Sequence, residues 1–237
     1  MRGVILAGGR GTRLHPLTKA TNKHLLPVGR EPMIFHAVRQ MVQAGITEIL
    51  VVTSTEHMGD VVRCLGGGGD LGCSLTYRVQ EQPLGIAHAL SLAEGFAQGD
   101  RICVLLADNI FEDSIRPIVE HYAEQLGGAR VVLKEVSDPE RYGVAALDEQ
   151  QVVSIEEKPR SPASPYAVVG LYLYDSQVFE IIRGLTPSER GELEISAVNG
   201  EYIARHQLEY DVYPGRWMDA GTMESWFEAN RLFYGEG

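Results

Sequence analysis

Three glycines and two arginines follow the first apolar run of the chain. The segment VILAGGRGTRLHPLT places Gly8, Gly9, Arg10, Gly11 and Arg13 directly after that run. Glycine permits a positive φ and has no Cβ, so consecutive backbone N–H groups can converge on one anion. An arginine adds a bidentate contact to phosphate oxygens. These residues predict a phosphate-binding loop, although a purely structural turn between a strand and a helix is the alternative.

Two common phosphate-loop motifs do not fit this segment. The dinucleotide fingerprint GxGxxG requires a glycine at position 14, which is Leu14, and no Gly-Lys-Ser/Thr sequence is present. Residues 1–30 nevertheless contain six basic side chains and no acidic one, in a chain whose net charge is −11. An acidic protein with a small cationic segment is unsuited to non-specific nucleic-acid binding. It suits a compact polyanion, and Lys23 would add a point charge ten residues after Arg13.

Two polar residues come at the ends of predicted strands. Asp108 follows the apolar run Ile102–Ala107, and Gln80 follows Ser74–Val79. The carboxyl ends of parallel strands form the ligand-binding edge of an open α/β sheet. A carboxylate there suits Mg²⁺, and a glutamine amide offers one donor and one acceptor to a base. Asp108 could instead cap a following helix, and Gln80 could be an exposed strand-end residue.

Covalent catalysis and disulfide or zinc frameworks have no support in the sequence. The seven histidines form no evident triad or metal motif, no GxSxG occurs, and the three cysteines have no CxxC spacing. No apolar run approaches the length of a membrane span, and no signal peptide is recognisable. We therefore expect a cytoplasmic protein with no membrane partner.

Strand-like and helical patterns alternate through the first half of the chain. Short strands are predicted at Gly3–Ala7, Glu48–Thr53, Ser74–Val79 and Ile102–Ala107. Helices are predicted around Ile34–Val42, from His57 to Leu65, and from about Gly85 to before Gly99. The alternation predicts an α/β fold with a mostly parallel, Rossmann-like sheet and helices on both faces. The second half is more mixed, with strands in RVVLKEV, GVAAL, VVSIEEK and YAVVGLYLYD and helices at Val178–Arg183, Leu193–Ala204 and Met223–Phe233.

Eight segments together resemble one enzyme family. The run LAGGRGTRLHPLT-x4-NKHLLPV resembles the signature of sugar-1-phosphate nucleotidylyltransferases, and the segments that follow in order are YRVQEQPLGIAHAL, LLADNIF, DPERYGVA, IEEKP, YAVVGLYLYD, RGELEIS and WMDAGT. The resemblance is greatest to members that transfer a nucleotidyl group from dTTP to α-D-glucose 1-phosphate with Mg²⁺, giving dTDP-glucose and pyrophosphate for deoxysugar biosynthesis. It leaves open UTP or another hexose 1-phosphate as substrates. It also leaves open a non-catalytic subunit that binds a sugar nucleotide.

The resemblance implies a single nucleotidyltransferase domain over 1–237, with a nucleotide-binding part at about 1–127 and a β-rich, sugar-phosphate-binding part at about 128–237. It implies catalytic roles for Arg13, Lys23 and Asp108 and metal ligation by Asp108 and Asp219, although Asp219 by itself would be taken as a turn residue. The implied nucleotide-binding residues are Gly8, Gly9, Arg10, Gly11, Thr12, Arg13, Gln80, Gly85 and Asp108. The implied sugar-phosphate-binding residues are Tyr142, Gly143, Glu157, Lys158, Val168, Arg190 and Glu192.

Three positions depart from the family pattern. Leu84 replaces an expected aspartate before Gly85, Ala107 replaces a glycine, and Ser196–Ala197 replaces Thr-Asp. The chain is also shorter than the longer family members, which puts their feedback-inhibitor site and tetramer packing in question here. A homo-oligomer is still expected by the resemblance. The implied reaction needs no protein nucleophile or general base, because a phosphomonoester with a second pKa of about 6 is already ionised near neutral pH.

Overall fold

The computed structural model describes residues 1–234. Its strands are, in chain order, β1 (Arg2–Ala7), β2 (Pro27–Val28), β3 (Glu31–Pro32), β4 (Glu48–Ser54), β5 (Ser74–Gln80), β6 (Ile102–Leu106), β7 (Asn109–Phe111), β8 (Ala129–Glu135), β9 (Gly143–Asp148), β10 (Gln151–Glu157), β11 (Tyr166–Tyr174), β12 (Leu208–Val212) and β13 (Trp217–Asp219). Its α-helices are α1 (Met33–Gln43), α2 (Met58–Leu65), α3 (Ile86–Ser91), α4 (Glu94–Ala97), α5 (Arg116–Glu124), α6 (Gln177–Gly184), α7 (Ile195–Ala204) and α8 (Met223–Tyr234).

The chain divides into two compact units, each built from separated stretches of sequence. The glycine-loop unit comprises Arg2–Pro83, Leu105–Pro117 and the chain from Gly215 on. The mixed-sheet unit comprises Met1, Leu84–Val104 and Ile118–Pro214. The predicted α/β fold is confirmed, and both units contain strands and helices.

The glycine-loop unit is built on parallel strands. β4 pairs with β1 on one side and with β5 on the other, both in parallel. Val4–Ala7 and Ile49–Val52 are buried, as expected when helices cover both faces of a parallel sheet. Helix α1 packs its apolar face against this sheet, and an added Cβ at Gly3 would lie 3.4 Å from the sulfur of Met41.

A second small core of the same unit fixes the chain after Gly215. β13 pairs antiparallel with β7, so that Asp219 lies opposite Asn109. Apolar residues from four segments pack together beneath this ladder and helix α8: Val28, Met33, Ile110, Ala220 and Ala229, with Met218 and Trp226 against them. The indole N–H of Trp226 donates to the carbonyl of Pro27 at 2.8 Å. This packing holds the segment that ends at Asp219 beside the segment that begins at Asp108.

The mixed-sheet unit contains mainly antiparallel pairs. β11 pairs antiparallel with β8 and β9, β10 pairs antiparallel with β9, and β12 adds to β8 in parallel. Nearly all of β11 is buried, and helices α6 and α7 also contribute apolar side chains to the core. The predicted strands of the second half are found here.

Some local predictions need correction. The helix expected from Gly85 to Gly99 is two helices, α3 and α4, interrupted at Leu92–Ala93. Helix α5 and strands β2, β3, β7, β12 and β13 were not predicted. These strands are short and give little periodic signal. Among the described residues, no helix is both long enough and apolar enough to cross a membrane.

Candidate active site

The glycine loop leaves β1 at its carboxyl end. Gly9 and Gly11 have φ values of +95° and +61°, the region that glycine adopts at little cost. A Cβ at Gly11 would lie 3.0 Å from Thr18 Cγ2 and 3.1 Å from Lys23 Cβ, so no larger residue fits there without movement. The Thr18 hydroxyl donates to the Gly11 carbonyl at 2.6 Å. The loop is therefore held tightly at its base, while Gly9, Arg10, Thr12 and Arg13 are exposed.

Lys23 and Asp108 form an ion pair close to this loop. Lys23 Nζ lies 2.5 Å from Asp108 Oδ2, with 13% and 12% of the two side chains exposed. The other carboxylate oxygen of Asp108 accepts from the Asn109 amide at 3.1 Å, and Asn109 in turn accepts from the Trp217 indole N–H at 2.8 Å. Burial opposes ionisation of Asp108, but the charge of Lys23, together with the hydrogen bonds from Lys23 and Asn109, lowers the pKa of Asp108 below its usual range. Asp108 is thus a fixed carboxylate.

Asp219 and Arg13 belong to the same cluster. The Ala220 N–H donates to the Asp108 carbonyl at 2.8 Å, which continues the β7–β13 ladder. Asp219 Oδ1 accepts from the Gly221 N–H at 3.0 Å, and a Cβ at Gly221 would lie 3.0 Å from Arg13 Nη2. Burial and the nearby Asp108 charge raise the pKa of Asp219 to about 6, against the opposing charges of Lys23 and Arg13. Two carboxylates and two cations therefore influence one another here.

Gln80 lies at the carboxyl end of β5 and reaches the glycine loop. It is 9% exposed, and a Cβ added at Gly8 would lie 3.2 Å from its amide oxygen. The alternative of an exposed strand-end glutamine is therefore wrong. The alternative that Asp108 caps a helix is also wrong, because strand β7 begins at the next residue.

Two residues that flank Lys23 were not identified from the sequence. Asn22 caps the 3-10 turn at Lys23–Leu25, since its side-chain oxygen accepts the His24 N–H at 2.8 Å. His24 is 1% exposed, and burial, with a further contribution from the Lys23 charge, lowers its pKa to about 3. The imidazole is therefore neutral and does not compete with Lys23 for Asp108. The asparagine before a polar turn is the sequence signal that could have indicated this cap.

Five of the predicted sugar-phosphate residues meet in the mixed-sheet unit. Gly143 lies opposite Glu157 across the β9–β10 pair and opposite Val168 across the β9–β11 pair. The Lys158 N–H donates to the Tyr142 carbonyl at 2.9 Å, and its ammonium lies 3.3 Å from Glu157 Oε1. A Cβ on Gly143 would lie 3.4 Å from Glu157 Oε2. This glycine leaves space directly above a carboxylate.

The remaining predicted residues of this unit lie on one turn and one loop. Arg190 Nη2 is 3.6 Å from Glu192 Oε2, and the Arg190 pKa is raised, first by its hydrogen bond to Glu194 and to a smaller extent by Glu192 and Glu157. Gly85 has a φ of +101°, and an added Cβ would collide with the Leu193 backbone. The turn with Arg190 therefore lies near Glu157, and Leu193 lies against Gly85.

The residues around Asp108 fit a magnesium ion by the chemistry of their donors. Mg²⁺ is usually held by one or two carboxylates together with water and substrate phosphates. Asp108 and Asp219 supply two such groups, and the β7–β13 pairing, with Asp219 opposite Asn109 and the Ala220 N–H bonded to the Asp108 carbonyl, places them close together. No cluster of three or more histidine, cysteine or carboxylate side chains that could hold a metal occurs within residues 1–234. Two carboxylate donors of this kind suit Mg²⁺.

Similarity to known proteins extends over nearly the whole chain. Residues 2–234 match the protein family described as nucleotidyl transferase. The glucose-1-phosphate thymidylyltransferase of Neisseria meningitidis is 45% identical over 234 residues, which are 97% of this chain and 81% of that protein. The enzyme of the same name from Actinoplanes sp. is 45% identical over 228 residues, covering 94% and 75% of the two chains.

Solved structures show the same similarity in three dimensions. A candidate glucose-1-phosphate thymidylyltransferase from Bacillus anthracis, crystallised in complex with sucrose, has a TM-score of 0.96 and 54% identity, over 100% of this chain and 96% of that one. A UDP-glucose pyrophosphorylase complexed with UDP-glucose has a TM-score of 0.88 and 25% identity, over 98% of each chain.

Proposed function

Because this chain belongs to the nucleotidyl transferase family, we propose that it transfers a thymidylyl group from dTTP to α-D-glucose 1-phosphate in the presence of Mg²⁺. The products are dTDP-glucose and pyrophosphate. The observation on which the proposal rests is the cluster of Arg13, Lys23, Asp108 and Asp219 beside the glycine loop. Relatives named glucose-1-phosphate thymidylyltransferase at 45% identity support the choice of substrates.

The reaction is a displacement at phosphorus that needs no covalent enzyme intermediate. A phosphate oxygen of the sugar 1-phosphate attacks the α-phosphorus of the triphosphate, and the bond from that phosphorus to the bridging oxygen breaks to release pyrophosphate. Since the attacking phosphate is already ionised near neutral pH, no side chain has to remove a proton. The protein instead aligns highly charged groups and offsets their repulsion.

The residues of the glycine-loop unit suit the triphosphate. The positive φ values of Gly9 and Gly11 let consecutive backbone N–H groups converge on phosphate oxygens, and an added Cβ at Gly9 would lie 4.0 Å from Lys23 Cε, its nearest neighbour. Arg13 binds the departing pyrophosphate, and Lys23 neutralises charge at the reacting phosphate. Asp108 and Asp219 would hold Mg²⁺, which when bound offsets phosphate charge as a Lewis acid. Gln80 offers its amide to the O4 and N3–H edge of the base.

The residues of the mixed-sheet unit suit a sugar phosphate. Glu157 accepts hydrogen bonds from sugar hydroxyls, and Gly143 places no side chain beside that carboxylate. Lys158 and Arg190 supply positive charge for the phosphate. Glu192, at 3.6 Å from Arg190, is a further acceptor for a hydroxyl.

UTP is the principal alternative to dTTP. An amide at Gln80 pairs with the same edge of thymine and uracil, which differ only in the C5 methyl group. The structural similarity to a UDP-glucose pyrophosphorylase, with a TM-score of 0.88, favours keeping this alternative. A non-catalytic role is disfavoured, because both carboxylates and both cations of the cluster are present.

Pyrophosphate release across a substrate grid tests the proposal. The grid combines dTTP, UTP, ATP, CTP and GTP with glucose, galactose, mannose and N-acetylglucosamine 1-phosphates, with Mg²⁺ or with EDTA. We expect the highest rate with dTTP and glucose 1-phosphate and none in EDTA. Lys23→Ala should abolish that rate, whereas Lys19→Ala, at an exposed position of the same segment, should not. A highest rate with UTP would reassign the substrate, and silence throughout would reject catalysis.

A further inference from the structure

Glu194 is a partly buried acceptor beside one of the proposed sugar-phosphate residues, and nothing above assigns it a role. Arg190 donates from Nε at 3.1 Å and from Nη2 at 2.7 Å, both to Glu194 Oε1. The Ser188 hydroxyl donates to the same oxygen at 2.9 Å. Only 17% of the Glu194 side chain is exposed, against 48% of the Arg190 side chain. One carboxylate oxygen therefore fixes an otherwise exposed guanidinium.

A simple capping role does not explain this carboxylate. Glu194 is the residue before helix α7, where acidic side chains often accept backbone N–H groups. Its side chain makes no such hydrogen bond to the helix. The acceptor oxygen is directed to Arg190 and Ser188 instead. Helix stabilisation is therefore not the function of these contacts.

The backbone on both sides of the Arg190 contact is also fixed. The Leu193 N–H donates to the Leu84 carbonyl at 2.8 Å, and the Ala87 N–H donates to the Leu193 carbonyl at 3.1 Å. The Ser188 N–H donates to the Glu192 carbonyl at 2.8 Å, which closes the turn that includes Arg190. Glu194 thus projects from an anchored backbone, and its carboxylate can hold the arginine in one rotamer.

The contact leaves the outer part of the guanidinium available. Arginine has five N–H donors in a planar fork, and the bonds to Glu194 use the Nε side. Arg190 Nη1 has no hydrogen-bond partner in the part of the chain that the structure describes. A phosphate oxygen can therefore bind at Nη1 while the anchor stays in place. Nη2, which donates to Glu194, also lies 3.6 Å from Glu192 Oε2.

We propose that Glu194 is a positioning residue that holds Arg190 ready for the phosphate of the sugar 1-phosphate. The proposal rests on the proposed function, because the sugar-phosphate role of Arg190 belongs to that function. Glu194 itself touches no substrate and acts only through the arginine. Its removal should weaken sugar-phosphate binding and leave nucleotide binding unchanged.

A double-mutant cycle tests this assignment. We compare the wild type, Glu194→Gln, Arg190→Ala and the double variant by steady-state pyrophosphate release. Glu194→Gln should raise KM for the sugar 1-phosphate about tenfold, a typical coupling for residues in direct contact. The KM for the triphosphate should not change. In the Arg190→Ala background, Glu194→Gln should have almost no further effect.

A matched control is available at the opposite end of helix α7. Glu201 and Arg205 form another pair four residues apart, 3.9 Å from each other and exposed. Glu201→Gln should leave both KM values unchanged. An equal effect of Glu194→Gln in both Arg190 backgrounds, or no effect at all, would overturn the positioning role.

Failure of the proposed function gives a different result. If the wild type releases no pyrophosphate with any substrate pair, the catalytic assignment fails. Calorimetric titration of the same four proteins with the four hexose 1-phosphates then decides the role of Glu194 alone. Binding that weakens on Glu194→Gln only when Arg190 is present supports the role. Absence of binding to the wild type rejects it.

Discussion

At the residue scale, the Asp108 carboxylate has two partners, a lysine in the structure and a metal ion in the proposed function. It lies 2.5 Å from the Lys23 ammonium, and in the proposed function it also binds Mg²⁺. We expect Asp108→Asn to lower kcat by about a hundredfold or more, since a neutral amide is a poor ligand for this ion. The variant should also lose stability, because Lys23 would keep its charge without its partner at a largely buried site. Pyrophosphate release and urea unfolding measure the two effects.

A surface pair of the same unit provides the control for this variant. Asp60 lies 3.1 Å from Arg63, with 45% and 81% of the side chains exposed. Asp60→Asn should change the free energy of unfolding by less than about 1 kcal/mol, as for most exposed pairs. Its kcat should equal that of the wild type. A full kcat in Asp108→Asn would contradict the metal role of this carboxylate.

Asp219 should make magnesium binding dependent on pH. Its pKa is raised to about 6, first by burial and then by the charge of Asp108. Because a proton and a cation compete for the carboxylate, Mg²⁺ affinity should fall as the pH drops below 6, by up to about tenfold per pH unit. Calorimetric titration of Mg²⁺ at pH 5 to 8 measures this dependence. Asp219→Asn should bind weakly at every pH, and an unchanged slope in that variant would assign the titration to another group.

At the scale of elements, the strand pattern predicted part of the site. Asp108 and Gln80 come at the ends of predicted strands, and parallel strands end at one edge of a sheet, so their positions could be inferred from sequence. The glycine loop was predictable for the same reason, because it follows β1. In each case, a local pattern and a general rule of sheet topology were sufficient.

Other parts of the site depend on pairings that no local pattern contains. Asp219 lies beside Asp108 only because β13 pairs with β7, two strands of three residues each. The anchor from Glu194 to Arg190 lies in a turn without periodicity, and its importance depends on burial. Family resemblance could indicate Asp219 and Arg190. It did not indicate Glu194.

The loop at Gly85 supports a prediction about backbone conformation. Gly85→Ala should destabilise the protein for two reasons. The residue has a φ of +101°, which is unfavourable for alanine, and the new Cβ would collide with the Leu193 backbone. Gly99 also has a positive φ, +83°, but nothing lies within 4 Å of an added Cβ. Gly99→Ala should therefore cost only the conformational penalty of about 1–2 kcal/mol. Urea unfolding should show a larger loss for Gly85→Ala, and equal losses would contradict the collision.

At the scale of the whole molecule, the fold buries charged side chains at a position where burial of a charge lowers the stability of the folded state. The glycine-loop unit joins three separated stretches of chain, and their junction contains Asp108, Asp219, Lys23 and Arg13. A carboxylate whose pKa is raised by burial lowers the stability of the folded state when it is ionised. In the proposed function, this same carboxylate binds a cation.

The stability of the whole chain should therefore increase when Asp219 loses its charge. The folded protein binds the Asp219 proton up to a pH of about 6, whereas the unfolded chain releases it near 3.8. This contribution to stability is complete below pH 3.8 and is lost as the pH rises through 6. Asp219→Asn has no carboxylate at this position and therefore no such pH-dependent contribution. In EDTA, the free energy of unfolding of the variant relative to that of the wild type should therefore increase by up to about 3 kcal/mol from pH 4 to pH 7.

Urea unfolding of both proteins at pH 4, 5, 6 and 7 measures this difference. Groups that titrate equally in the two proteins cancel in this difference. The buried His24 is one of them: its lowered pKa makes the stability of both proteins rise with pH, opposite to the effect of Asp219. Asp60→Asn should follow the wild-type profile, since its carboxylate lies at the surface. Saturating Mg²⁺ should remove the advantage of Asp219→Asn at pH 7, because only the wild type has both carboxylates to bind it. A difference that is the same at every pH would show that Asp219 is already ionised at pH 4, and the raised pKa would be wrong.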